Sequence, residues 1–186
     1  MAGSCGSYAE NTEEWFKKGE EMRKYGFYKP ALENYEKVLS LNDTHDQAWH
    51  GKADVLRHLV RYDEALEAGN RALSLNPNLS EAWRGKGLTL QYLHRYDEAL
   101  DALNNSTATN PGNVEAWQGK GDTLMIIKRY EEALMAYNKT LELYPDYQRG
   151  WQGIYRALSN LNRTVEAEEA YAKALEAKPY FFSNTG

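Results

Sequence analysis

The sequence predicts an all-α solenoid of five helix–turn–helix repeats, ten helices in all, from two observations. Trp15, Trp49, Trp83, Trp117 and Trp151, which are all the tryptophans of the chain, stand 34 residues apart. Residues 76–87, Asn-Pro-Asn-Leu-Ser-Glu-Ala-Trp-Arg-Gly-Lys-Gly, return at 110–121 as Asn-Pro-Gly-Asn-Val-Glu-Ala-Trp-Gln-Gly-Lys-Gly. A fixed period of this length marks a supersecondary unit that buries its apolar face against copies of itself.

Within one period, two helical patterns follow each other. Over residues 46–59, Trp49, Ala53, Leu56 and Leu59 recur at helical spacing and make one apolar stripe. Arg61-Tyr62-Asp63-Glu64 then opens a second stripe through Ala65, Leu66, Ala68, Ala72 and Leu75. Tyr28, Tyr96 and Tyr130 open the same stripe in other copies, with Thr164 in the last, and Ala31, Ala99, Ala133 and Ala167 follow. Acidic pairs such as Asp97-Glu98 suit the positive end of a helix. Pro77, Pro111, Pro145 and Pro179 stop four copies, because proline lacks an N–H and disfavours helix before it; Asp43 closes the first. Ser80 with Glu81 suits the next helix start. Gly85 and Gly87, poor helix formers inside a helical pattern, imply close approach of paired helices, and the tryptophans read as repeat core.

These residues resemble the tetratricopeptide repeat, and the Trp-x-Gly-Lys-Gly form is similar to repeats of archaeal proteins. The resemblance implies a right-handed superhelix with repeats at 12–45, 46–79, 80–113, 114–147 and 148–181, a flexible leader at 1–11 and a tail at 182–186. The first repeat is strongly charged, as suits a cap. The second has Gly69 where others place Tyr35, Tyr137 and Tyr171, which predicts a small hole or a closer helix contact. The third ends its second helix with residues 104–109, Asn-Asn-Ser-Thr-Ala-Thr, a weak helix-forming run expected to be the least stable internal segment. The fifth drifts, with Gly150, Tyr155 and Thr164. Either Tyr180, Phe181 and Phe182 fold over the last repeat, or its exposed end is shared with another molecule, or the sequence is trimmed there from a longer chain.

A formal charge of −5 with no basic block argues against nucleic acid as the main partner, and no apolar run approaches membrane-spanning length. The single cysteine, Cys5, excludes an internal disulfide framework. Lipidation of Cys5 and the Asn-x-Ser/Thr sites at Asn42, Asn78, Asn104, Asn105, Asn138 and Asn162 would fit a surface location. Turn and cap preferences explain the same sites in a cytoplasmic protein.

No phosphate-binding loop or nucleophile motif is present, so no enzymatic activity and no cofactor are expected. His50, Asp54 and His58, four residues apart on one helix face, are a candidate metal site set against the plainer reading of a polar stripe. The resemblance implies a concave groove lined by first helices: His50, Asp54 and Arg57; Arg84, Leu88 and Tyr92; Gln118, Asp122, Met125 and Ile126; Gln152 and Arg156. Arg57, Arg84 and Arg156 would pair acidic groups on a partner. Leu88, Tyr92, Met125 and Ile126 would hold an apolar anchor or pack against neighbouring helices. Phe16 and Glu20 stand where some relatives carry the Lys and Asn that hold chaperone tails, which argues against that partner. The expected function is a scaffold for a protein or peptide partner, with self-association or ligand binding as alternatives.

Overall fold

The computed structural model describes residues 4–177. Among them are ten α-helices and no strand: α1 (Ser4–Lys24), α2 (Tyr28–Leu41), α3 (Asp46–His58), α4 (Tyr62–Leu75), α5 (Ser80–Tyr92), α6 (Tyr96–Thr109), α7 (Val114–Ile126), α8 (Tyr130–Leu143), α9 (Gln148–Asn160) and α10 (Thr164–Glu176). The first helices α3, α5, α7 and α9 thus begin at one-period intervals. One difference from expectation is α1, which takes in residues 4–11 of the expected loose leader. Ala9 and Glu10 are fair helix formers, no proline interrupts residues 4–11, and the acidic Glu13 and Glu14 continue the helix beyond them. The expectations for Tyr180–Phe182, the tail and the Cys5 side chain lie outside the described residues.

Each first helix ends in a tight turn at a residue with positive φ: Gly26 (78°), Val60 (63°), His94 (58°), Lys128 (64°) and Asn162 (58°). Four indole N–H groups then pin the turn before their own helix. Trp49, Trp83, Trp117 and Trp151 donate to the carbonyls of Asp43, Pro77, Pro111 and Pro145 at 2.8, 2.8, 2.9 and 2.9 Å. The tryptophans are therefore partly buried struts at the core edge. The lysine of Trp-x-Gly-Lys lies over the ring: Lys52, Lys86 and Lys120 sit 5.5, 5.4 and 5.2 Å from the indoles of Trp49, Trp83 and Trp117.

The chain divides between Arg95 and Tyr96 into two compact units. In the first unit, α1–α5, Tyr35 of α2 is fully buried between Gly19 of α1 and Gly51 of α3. A Cβ on Gly51 would come within 2.5 Å of the Tyr35 ring. The second unit, α6–α10, repeats the device: Tyr137 of α8 is fully buried, and Gly121 of α7 and Gly153 of α9 have no room for a side chain against its ring. These glycines are recesses for a tyrosine ring more than points of helix contact.

The partner positions are matched by size. Where the second helix has Gly69, the facing first-helix residue is Ala53, and a Cβ added to Gly69 would meet only the Ala53 methyl, at 3.8 Å. Where the first helix has Tyr155, Tyr171 cannot enter; the two rings pack at 5.3 Å and Tyr171 stays half exposed. The weak run at 104–109 stays helical, with Ser106 and Thr107 buried. Thr107 and Thr109 donate back to the carbonyls of Asn104 and Asn105.

Candidate functional site

In the first unit, the candidate face is built on α1, α3 and α5 and is largely saturated from within. The Tyr35 hydroxyl donates to Glu20, which also accepts from Arg23 at 2.7 Å. Arg23 reaches across to Asp54 at 3.1 Å, and Arg57 donates to the other oxygen of Asp54. Burial alone would raise the Asp54 pKa, but Arg57 and Arg23 outweigh it and pull the carboxyl down to about 2. Burial also pushes His50 and His58 below the usual histidine range.

This network overturns two expectations. Asp54 is held by two guanidiniums, and the nearest His58 nitrogen is 3.9 Å away. His58 instead stacks on Tyr28, with centroids 4.4 Å apart. His50, Asp54 and His58 therefore do not converge on a metal position, and no metal-competent cluster of His, Cys, Asp or Glu exists among the described residues. Arg57, with only 12% of its side chain exposed, is spent on Asp54 and is not free for a partner's acid. Arg84 is paired in its own helix with Glu81 at 2.7 Å. Leu88 is partly buried. Tyr92 is exposed, but one ring face stacks on Tyr62 at 5.0 Å.

In the second unit, α7 and α9 form an open cleft of about 170 Å³ lined by Gln118, Asp122, Ile126, Arg149, Gln152, Gly153 and Arg156. The Tyr137 hydroxyl donates to Asp122 at 2.8 Å, as Tyr35 does to Glu20. Asp122 also accepts from the Gln118 amide at 3.1 Å and, weakly, from Arg149 at 3.5 Å. Burial dominates here and raises the Asp122 pKa, with Tyr137, Arg149 and Gln118 opposing it. Arg156 is exposed and acts on Asp122 through its field alone. Gln118 is 4% exposed, and its Oε1 is buried without a hydrogen-bond partner. Ile126 is half exposed at the rim.

Met125, expected in the groove, belongs to the core, packed with Leu124, Tyr137 and Ile154 among others. It stands two periods after Arg57, and an apolar side chain at that register turns inward. Arg149 was not anticipated. It precedes Trp151 by two, outside the expected inner-face positions, and reaches back to α7; its charge, opposite to Glu81 and Glu115 at the same register, is the available signal. The structure thus assembles donors, acceptors and charges on a helical face, which is suited to recognition.

A family model described as the tetratricopeptide repeat matches residues 84–148, and one for subunit 3 of the anaphase-promoting complex, or cyclosome, matches residues 24–106. Together they support the tetratricopeptide-repeat family. No curated protein matches the chain. Among solved structures, the MamA protein shares 24% identity with a TM-score of 0.78, covering 91% of this chain and 92% of that one. MamA from Desulfovibrio magneticus RS-1, residue 41 to the end, gives 20% and 0.79, with 90% and 94% covered. YrrB, described as a TPR protein with an unusual peptide-binding site, gives 20% and 0.73, with 92% of each chain covered. At this identity the likeness is one of fold: a helical solenoid of tetratricopeptide-type helix–turn–helix pairs. No described helix is long and apolar enough to cross a membrane.

Proposed function

We propose that this chain is a non-enzymatic protein-interaction scaffold that holds a peptide or a segment of a partner protein against its first-helix faces. The observation that carries the proposal is the open cleft of the second unit, where Ile126, Arg149 and Arg156 stand exposed around the buried Gln118 and Gly153. An apolar contact beside two cations and several amides is the mixture that lets one segment be anchored and oriented. The fold likeness to YrrB, described as having a peptide-binding site, supports the same reading. On the first unit, Leu88 and the free face of Tyr92 are the anchor candidates, with neutral His50, the Asp54–Arg57 pair and Arg84 as their polar surround.

The test is affinity capture from a lysate of the native source. Wild type is run beside Arg156→Glu with Ile126→Ala, and beside Arg84→Glu with Tyr92→Ala. A partner held by wild type and lost by one variant identifies the client and the face. A partner retained by both variants places the contact elsewhere and overturns the assignment. A second reading, self-association, is favoured by α10. Tyr171 and Leu175 are 51% and 68% exposed, whereas Tyr137 and Leu141 at the same register are 0% and 8% exposed. Light scattering that shows a single concentration-independent monomer mass removes it.

A further inference from the structure

Resting on that reading, we infer that the cleft of the second unit selects an acidic residue within the bound segment. The carboxylate is taken by Arg149 and Arg156, and a neighbouring main-chain N–H is taken by Gln118 Oε1. Three observations combine. First, the Gln118 amide group is oriented by its own Nε2–H bond to Asp122, which leaves the Oε1 of this cleft-lining residue buried and unpaired. A buried acceptor without a donor is costly, and a ligand N–H placed there recovers that cost on binding.

Second, the cleft holds two guanidiniums and a single carboxylate. That carboxylate, Asp122, is already engaged by Tyr137 and Gln118, and its contact with Arg149 is long, at 3.5 Å. The local balance is positive in a chain whose formal charge is −5, so an anionic group is the complementary occupant. Third, the equivalent place in the first unit is complete in charge, and the buried atom left unpaired there is a donor, Arg57 Nε, where the second unit leaves an acceptor. There Asp54 is held by Arg23 and Arg57, and no cation is left over on α3. A peptide offers both missing groups within one residue: an N–H on the main chain and, for Asp or Glu, a carboxylate one or two carbons beyond Cα. A free carboxylate offers no N–H for Gln118, and a neutral or basic segment leaves Arg156 without an acid and Arg149 with only its long contact to Asp122.

The experiment is selection of a displayed random dodecapeptide library on the full chain, followed by affinity measurement of the selected peptides. The expected result is enrichment of Asp or Glu at one position. Changing that residue to Asn or Gln weakens binding about tenfold, the usual size of one lost charge-assisted contact. Arg149→Glu with Arg156→Glu abolishes binding; both side chains are exposed, so the fold is kept, as a thermal melt checks. Gln118→Leu weakens binding severalfold, and in the wild type the Gln118 side-chain amide resonances move when peptide is added. Peptides without an acidic residue that are nonetheless lost in the double-arginine variant overturn this inference and spare the scaffold reading. Acidic peptides that bind the variant as tightly as wild type overturn it too. Failure to select any peptide overturns both.

Discussion

Asp54 and Asp122 occupy the same register of the repeat, two periods apart, on the first helices of different units, yet their acidities are driven in opposite directions. Both are mostly buried. What differs is the residue three places on: Arg57 donates directly to Asp54, whereas Met125 turns into the core and leaves Asp122 with a tyrosine, an amide and a distant arginine. In the first unit the carboxylate charge is neutralised from within, and the buried atom left without a partner is the Arg57 Nε donor. In the second the neutralisation is incomplete and the face keeps an unpaired acceptor. A shared scaffold thus carries one carboxylate held by two guanidiniums and one that is not, and a single side chain sets much of the difference.

Transplanting that side chain breaks the comparison most directly. Arg57→Met is expected to destabilise the first unit by about 3 kcal/mol, because it strips a buried carboxylate of its main partner. Urea unfolding measures the loss, and a carboxyl NMR titration should show Asp54 rising from about 2 toward the Asp122 behaviour. If Asp54 stayed low, Arg23 alone would account for it.

The pH dependence sharpens the same contrast. The Asp54 pKa is lowered on folding, so its contribution is present above the ordinary carboxylate range near pH 4. It is lost as pH falls toward about 2, and amounts to roughly 2 kcal/mol. For Asp122, raised on folding, the sign reverses: its contribution is present at low pH and is lost as pH rises through the raised value. Unfolding free energies of Asp54→Asn and Asp122→Asn across pH 2–6 should therefore depart from wild type with opposite slopes.

The interiors differ as well. Gly121→Ala in the second unit should cost about 2 kcal/mol, since its methyl would collide with the Tyr137 ring. Gly69→Ala in the first unit should instead raise stability by roughly 0.5–1 kcal/mol. Its methyl meets Ala53 at ordinary contact distance, and alanine is the better helix former. Thermal melts of both variants test the pair. The smallest effect expected is local: amide exchange at 104–109 should outpace that at 138–143, because its helix is built from polar and β-branched residues. Equal rates would show that the buried Ser106 and Thr107 compensate.

Much of the helix framework was legible because a 34-residue period in tryptophan leaves little freedom in where helices begin. The candidate site was legible in position and less so in role. Gln118, Asp122, Ile126 and Arg156 do line one cleft. But a helix register gives direction only to within a fraction of a turn, and that fraction separates Met125 in the core from Ile126 at the rim. Nor does spacing reveal pairing across helices. Arg57 reads as a free cation until Asp54 is placed beside it, and Arg149 reads as a helix-start residue until its length carries it to α7. The purpose of the Gly-x-Gly spacing was hidden for a related reason. The glycines and the tyrosine they admit lie on different helices, and only the size matching of Ala53 with Gly69 and of Gly121 with Tyr137 exposes the rule.

The turn inside each repeat leads to a practical consequence. Val60 holds a left-handed backbone that a β-branched side chain adopts at a cost of about 1–2 kcal/mol, and it does so at the surface, 67% exposed, with its side chain largely in water. The surrounding helices must therefore hold the corner in place against its own preference. Asparagine, the residue already found at the matching corner as Asn162, would relax Val60 without altering any side chain assigned to recognition. Durability can thus be engineered at the corners of this molecule, apart from the helix faces on which binding is proposed.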